Sequence, residues 1–290
     1  EQHRFGVRQR ALLGDKGVCP DILVMSATPI PRTLALTVYG DLDLSVIDAL
    51  PPGRKPVQTI FLKREQRLKA YNFMSQHLSR GLQCYVVCPL IEESEKQDLL
   101  AATTLYEELC DKLTPGYNVG LLHGKMKASE KEAIMESFKR GVIQVLVSTT
   151  VIEVGVDVPN ASIMIIEQAE RFGLSQLHQL RGRVGRGNQQ SICFLIGDPK
   201  SPEALQRMYL MTQIHDGYRL AQADLALRGA GDFWGVRQHG LHQLRVADLA
   251  RDSDIVELSQ KIAEGFAGMN AWQQDYFNMK FKKAHNIAAN

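Results

Sequence analysis

No uninterrupted apolar stretch in these 290 residues approaches the ~20 that a helix needs to cross a bilayer. The opening EQHRFGVRQR is charged and has no signal-type apolar core, so no export is expected and a cytoplasmic location fits. It also lacks a starting methionine, which predicts a longer parent chain. Cysteine is sparse: Cys19, Cys84, Cys88, Cys110 and Cys193 form no C-x-x-C pair. Cys84, Cys88 and Cys193 lie in apolar runs, where a buried reduced thiol is the ordinary outcome, so neither disulfides nor zinc are predicted. The histidines have no metal-ligand spacing. There is no internal repeat and no phosphate-binding loop. The nearest candidate, Gly120 to Met126, has one residue too few between its glycines and a methionine where Ser or Thr should stand. A formal net charge of +2 is too small to mark a nucleic-acid binder by itself.

What is present is a folded-protein composition with 44% hydrophobic and 23% charged residues. Positive charge is concentrated locally, at Arg181, Arg183 and Arg186 and again at Lys280, Lys282 and Lys283. Apolar runs at 22–25, 84–88, 119–122, 145–147, 163–166 and 192–196 read as strands. Between them, 65–79, the stripe Leu105, Leu109 and Leu113, and 174–181 read as helices. Ser129 and Glu132 predict a capping box opening a helix that buries Ala133, Ile134 and Phe138 and stops at Gly141. Strands apolar throughout, separated by amphipathic helices, imply an α/β fold with a parallel sheet covered on both faces. Such sheets bind ligands at the carboxyl ends of their strands, and all the candidate polar groups are expected there. The stiff Pro51-Pro52-Gly53-Arg54-Lys55-Pro56 predicts an interdomain linker. Past residue 200 the pattern turns helical over 203–225 and then glycine-rich over 229–240. The expected domains are therefore 1–50, 51–200 and 201–290.

Three segments carry chemistry. In Gln179-Leu-Arg181-Gly-Arg183-Val-Gly-Arg186-Gly187 the spacing of Arg183 and Arg186 lets one helical turn present both guanidiniums. Such forks suit phosphoryl oxygens, while a solvated basic patch or an RNA surface fits the same spacing. Ser148, Thr149 and Thr150 place hydroxyls after a strand, suited to phosphodiester contact or to an internal cap; Gly155 permits a sharp turn, and Asp157 could orient an arginine or a ribose. Ser26 and Thr28 stand before a candidate helix that they could equally cap. His123 and Lys125 follow another strand and could touch a backbone phosphate or have no role. Phe233 and Trp234 anchor the glycine-rich loop or contact nucleic acid.

Taken in order, these segments resemble the superfamily 2 helicases and, within them, the bacterial RecG family of branch-migration enzymes. EQHRFG (1–6) resembles the tail of a DExH box with the RFG extension, and SATPIPRTLALT (26–37) resembles the third helicase motif. YGDLDLSVIDALPPGRKPVQT (39–59) is similar to the passage into the second motor domain, and 147–161 and 179–187 resemble the fifth and sixth motifs. The resemblance implies a RecA-like second motor domain followed by a helical hairpin and a C-terminal extension. It makes Glu1 the general base, with magnesium on an aspartate ahead of it, and Arg183 and Arg186 the arginines reaching ATP. Gln179, Gly155 and Asp157 become cleft residues sensing the nucleotide, and Ser26 and Thr28 couple hydrolysis to DNA movement. Residues 213–238 are similar to the translocation element shared with the transcription-repair coupling factor Mfd, giving Arg219, Arg228 and Gln238 as working residues. The implied partner is branched double-stranded DNA, the implied cofactors are ATP and Mg2+, and a monomer without membrane association is expected. An Mfd-type translocase and a non-enzymatic nucleic-acid-binding module are the alternatives.

Overall fold

The computed structural model describes residues 53–89, 95–114, 116–149, 157–187 and 189–232, with a few isolated positions beyond them. It divides into two compact units, Glu1–Ile30 with Val46–Leu227, and Pro31–Ser45 with Arg228–Asn290. In the first, six strands alternate with helices: β1 (Gln58–Leu62), α1 (Arg67–Leu78), β2 (Gln83–Val87), α2 (Glu95–Glu108), β3 (Val119–Leu122), α3 (Ala128–Lys139) and β4 (Val145–Ser148). There follow β5 (Ala161–Ile166), α4 (Leu174–Arg181), β6 (Ile192–Ile196), α5 (Pro202–Gln213) and α6 (Gly217–Asp232). The strands form one sheet in the order β1-β6-β5-β2-β4-β3, with every pairing parallel.

Both faces are covered, which explains why the central strands are apolar without alternation. Cys84, Val86, Ile163 and Ile165 point into a layer with Ala70, Tyr71 and Met74 of α1 and Leu105 of α2. Tyr85, Val87, Met164 and Ile166 point the other way, into a layer with Phe138 of α3, Leu177 of α4 and Met208 and Met211 of α5. Each such fully buried apolar side chain contributes about 1.5–3 kcal/mol. Buried Gln83 donates to the carbonyls of Phe138 and Ile143, fastening the end of α3 to the start of β2.

Several local expectations shift. α3 begins at Ala128, so Ser129 lies inside its first turn, and the carboxylate of Glu130 accepts from the Lys127 N–H at 3.0 Å in place of the Ser129–Glu132 box. Its buried residues are Met135 and Phe138; Ala133 is exposed and Ile134 half-buried. Gly141, with φ of +76°, stops the chain as predicted, because a left-handed residue is needed there. The single helical stretch over 203–225 is two helices broken at 214–216, and α6 continues through Gly229 and Gly231, where a loop was expected. The first compact unit runs to Leu227, and Met208, Met211 and Leu220 join the core on the α4 side. In the second unit α6 continues over Arg228–Asp232, and at the described positions further on Ser259 Oγ donates to the Ile255 carbonyl. The strand expected at 22–25 lies outside the described residues apart from exposed Leu23 and Met25.

Candidate functional site: the arginine loop

α4 buries Leu174, Leu177 and Leu180 and runs antiparallel to the strands, returning the chain from their carboxyl ends to their amino ends. It stops at Arg181, where the Gly182 N–H bonds the His178 carbonyl. Arg183 and Arg186 therefore lie in the turn after the helix. This departs from the expectation of a shared helical turn, because Gly185 adopts φ of +78°, a conformation no helix contains. A Cβ on Gly185 would stand 2.7 Å from Val57 Cγ2. One on Gly187 would meet the Pro159 carbonyl. Val57, Ser191 and Pro159 stand just ahead of β1, β6 and β5, so the loop occupies the amino edge of the sheet. The expectation that all candidate groups gather at the carboxyl edge is corrected accordingly.

The linker reaches the same loop. Arg54, half-buried, donates from Nε to the Gly185 carbonyl at 3.1 Å and from Nη2 to the Gly182 carbonyl at 3.3 Å. Asp157 stands at this edge and pairs with Arg186 at 3.4 Å, the side chains being 59% and 31% exposed. So open an ion pair contributes little net energy. It orients Arg186 without locking it. Burial pushes the Tyr85 phenol up to about 12; Arg183 and Arg186 pull against that and Asp157 adds to it, so the three charges act on one buried group.

At the opposite, carboxyl edge lie Ser148 and Thr149. Ser148 is buried and its Oγ donates to the Thr149 carbonyl at 2.6 Å. Thr149 is 2% exposed, and among the described residues neither its Oγ1 nor the adjacent His123 Nδ1 has a partner. Burial first, then Lys131 and Lys125, lowers the His123 pKa, keeping that ring neutral near pH 7. The two hydroxyls and the arginine loop, grouped together by sequence, are thus held at opposite ends of the strands.

Gln179 is half-buried on α4, and Arg219 is exposed on α6, where its N–H bonds the Asp216 carboxylate at 2.7 Å. Arg228 lies within α6. Glu1, Ser26, Thr28, Thr150, Gly155, Phe233, Trp234 and Gln238 lie outside the described residues. Among the described residues no group of three His, Cys, Asp or Glu side chains could hold a metal ion, and no helix is long and apolar enough to cross a membrane.

Two arginines escaped the sequence reading. Arg181, grouped with the basic cluster, is 3% exposed and donates to the carbonyls of Met211 (3.0 Å), Ile214 (2.9 Å) and His215 (3.2 Å). It binds the end of α5, not a ligand. Arg54 was part of a linker; its acceptors lie 128 and 131 positions away, a pairing no local pattern announces.

The chain matches two family descriptions, the helicase conserved C-terminal domain over residues 65–188 and "ATP-dependent DNA helicase RecG, domain 3, C-terminal" over residues 214–283. It is 52% identical over 275 residues to the ATP-dependent DNA helicase RecG of Streptococcus pneumoniae, covering 95% of this chain and 41% of that one. To the RecG of Bacillus subtilis it is 50% identical over 275 residues, covering 95% and 40%. A solved structure of RecG bound to a three-way DNA junction superposes with a TM-score of 0.67 at 46% identity, covering 89% of this chain and 32% of the other. The chain thus spans about two-fifths of the length of these curated relatives. The six-stranded parallel sheet, the arginine loop and these likenesses agree, and the chain belongs to the RecG family of helicases.

Proposed function

We propose that this chain supplies the arginine-bearing second motor domain and the coupling helices of an ATP-driven double-stranded DNA translocase acting on branched DNA, such as replication forks and four-way junctions. The observation that carries the reading is the loop 182–187, pinned by its backbone at one edge of the sheet while Arg183 and Arg186 extend from it. The names of the relatives and the junction-bound RecG support the same reading.

The donor set fits a triphosphate: two guanidiniums on a fixed backbone, one of them against a solvent-exposed carboxylate that is easily exchanged. ATP, when bound between this sheet and a partner lobe, supplies the transferable phosphoryl group. Arg186 leaves Asp157 for phosphate oxygens, and Arg183 joins it in neutralising charge that grows in the transition state. Asp157 is then free to orient a ribose or a neighbouring cation. The described residues do not fit a magnesium site. At the carboxyl edge the unpartnered Thr149 hydroxyl and the neutral His123 ring offer hydrogen bonds to a DNA backbone once side chains shift. The protein works as a monomer in the bacterial cytoplasm in this reading.

The test is made in the intact protein. Arg183→Ala and Arg186→Ala should each lower DNA-stimulated ATP hydrolysis by about a hundredfold or more, with DNA affinity retained. Normal hydrolysis in both variants overturns the reading.

A further inference from the structure

We infer that the interdomain linker is the positioning element of the arginine loop, with Arg54 as its positioning residue; the inference rests on the reading of Arg183 and Arg186 given above. The end of the linker and the start of β1 run beside the loop and the residues that lead from it into β6. The Arg54 fork takes the Gly185 and Gly182 carbonyls, and the Val57 side chain fills the space that a Cβ on Gly185 would need. The Pro56 carbonyl accepts from Gln190 Nε2 at 2.9 Å, and the Gln58 N–H bonds the Ser191 carbonyl at 3.0 Å.

The two carbonyls held by Arg54 flank Arg183 and immediately precede Arg186. Gly182 ends α4, so its carbonyl has no onward helical donor, and a guanidinium is well matched to such an acceptor. A planar fork meets two carbonyls in one fixed geometry, so it sets both position and rotation of the intervening peptide. Gly53, with φ of +80°, turns the chain immediately before Arg54. Pro56, two positions ahead of β1, has no N–H with which to extend the ladder back into the linker. The segment that joins the two motor domains in this reading is thereby the segment that aims the arginines, so a change in the angle between domains is felt at the loop without passing through the sheet.

The experiment compares Arg54→Ala, Arg54→Lys and Arg183→Ala in the full-length protein. Arg54→Ala should lower kcat for DNA-stimulated ATP hydrolysis roughly ten- to a hundredfold, the effect of a small misplacement of a charged group. ADP affinity, DNA affinity and the melting temperature should stay at wild-type values, while affinity for ADP–aluminium fluoride falls by the same factor as kcat. Arg54→Lys should not restore kcat, because one ammonium cannot meet both carbonyls as a fork. If Arg54→Ala melts early, Arg54→Lys decides: reduced kcat at wild-type melting supports the inference, and wild-type kcat overturns it. Loss of hydrolysis in Arg183→Ala beside wild-type kcat in both Arg54 variants overturns the positioning role and leaves the motor reading standing. Normal hydrolysis in Arg183→Ala removes the motor reading, and this inference with it.

Discussion

At Arg181 a guanidinium is almost wholly buried, and its hydrogen-bond partners are all neutral: three carbonyls beside the end of α5, the Thr59 hydroxyl and His178 Nδ1. Burial lowers its pKa, against a smaller raising contribution from Cys193; the partial negative charge at a helix C-terminus also favours the cation. Arg181→Met should leave those carbonyls without a donor and cost about 1–3 kcal/mol, read as a lower urea midpoint; an unchanged midpoint would contradict the account. His178 accepts from Arg181 and must be neutral at Nδ1. Burial first, and Arg181 second, bring its pKa down to about 4. The unfolded chain takes up a proton near pH 6.5 that the folded one refuses until about pH 4. The stabilisation is therefore complete above pH 6.5 and is lost as pH falls toward 4. Unfolding midpoints at neutral and at mildly acidic pH should show that loss, and His178→Gln should flatten it.

Among elements, the joint between α1, α2 and the end of β5 is electrostatic. Arg67 of α1 donates to Glu167, just after β5, at 2.8 Å and to both carboxylate oxygens of Glu108 at 3.1 and 2.8 Å. Tyr71 donates to Glu167 at 2.6 Å and lies under the guanidinium. Burial alone would lower the Arg67 pKa, but the hydrogen bond to Glu108 and the charges around it win, and burial raises the Tyr71 phenol. Both groups therefore keep the forms that bond. Arg67→Leu should cost about 1–2 kcal/mol, a buried-pair loss reduced for partial exposure. A cycle with Glu108→Gln should show coupling, whereas additive effects would mean the pair contributes nothing. The arginine loop differs: its backbone is held by Arg54, and the ion pair of Arg186 with Asp157 is largely open to solvent.

For the whole molecule, in the motor proposed above, closure of a nucleotide cleft would move DNA only through something stiff. α5 and α6 are that candidate, since Arg181 ties the end of α5 to the end of α4, one residue before the loop begins. In the intact protein Arg228→Ala and Gln238→Ala should leave ATP consumption in place while junction unwinding falls, measured as product per ATP; an unchanged ratio would refute coupling. The 290-residue chain alone should turn over no ATP, because its only loop of that kind lacks the spacing of a phosphate cradle.

Much of this was legible in the order of residues. Continuous apolar runs and the helical stripes between them announced a covered parallel sheet, because burial on both faces imposes that pattern on any strand. The paired arginines raised phosphate chemistry as one option, yet their spacing did not place them on one helical turn, because Gly185 takes a left-handed conformation. Local order also misled: Gly229 and Gly231 sit inside a helix, and the first turn of α3 is closed by Glu130 and not by the Ser129–Glu132 pair. The tertiary structure alone decided that Arg181 is buried while Arg186 pairs with Asp157 at the amino edge. Arg181 and Arg186 are the same residue type within six positions, and what separates them is the carbonyls and the carboxylate that distant parts of the chain bring to each. The edge of the sheet on which they stand was decided the same way, by a helix running back against its strands.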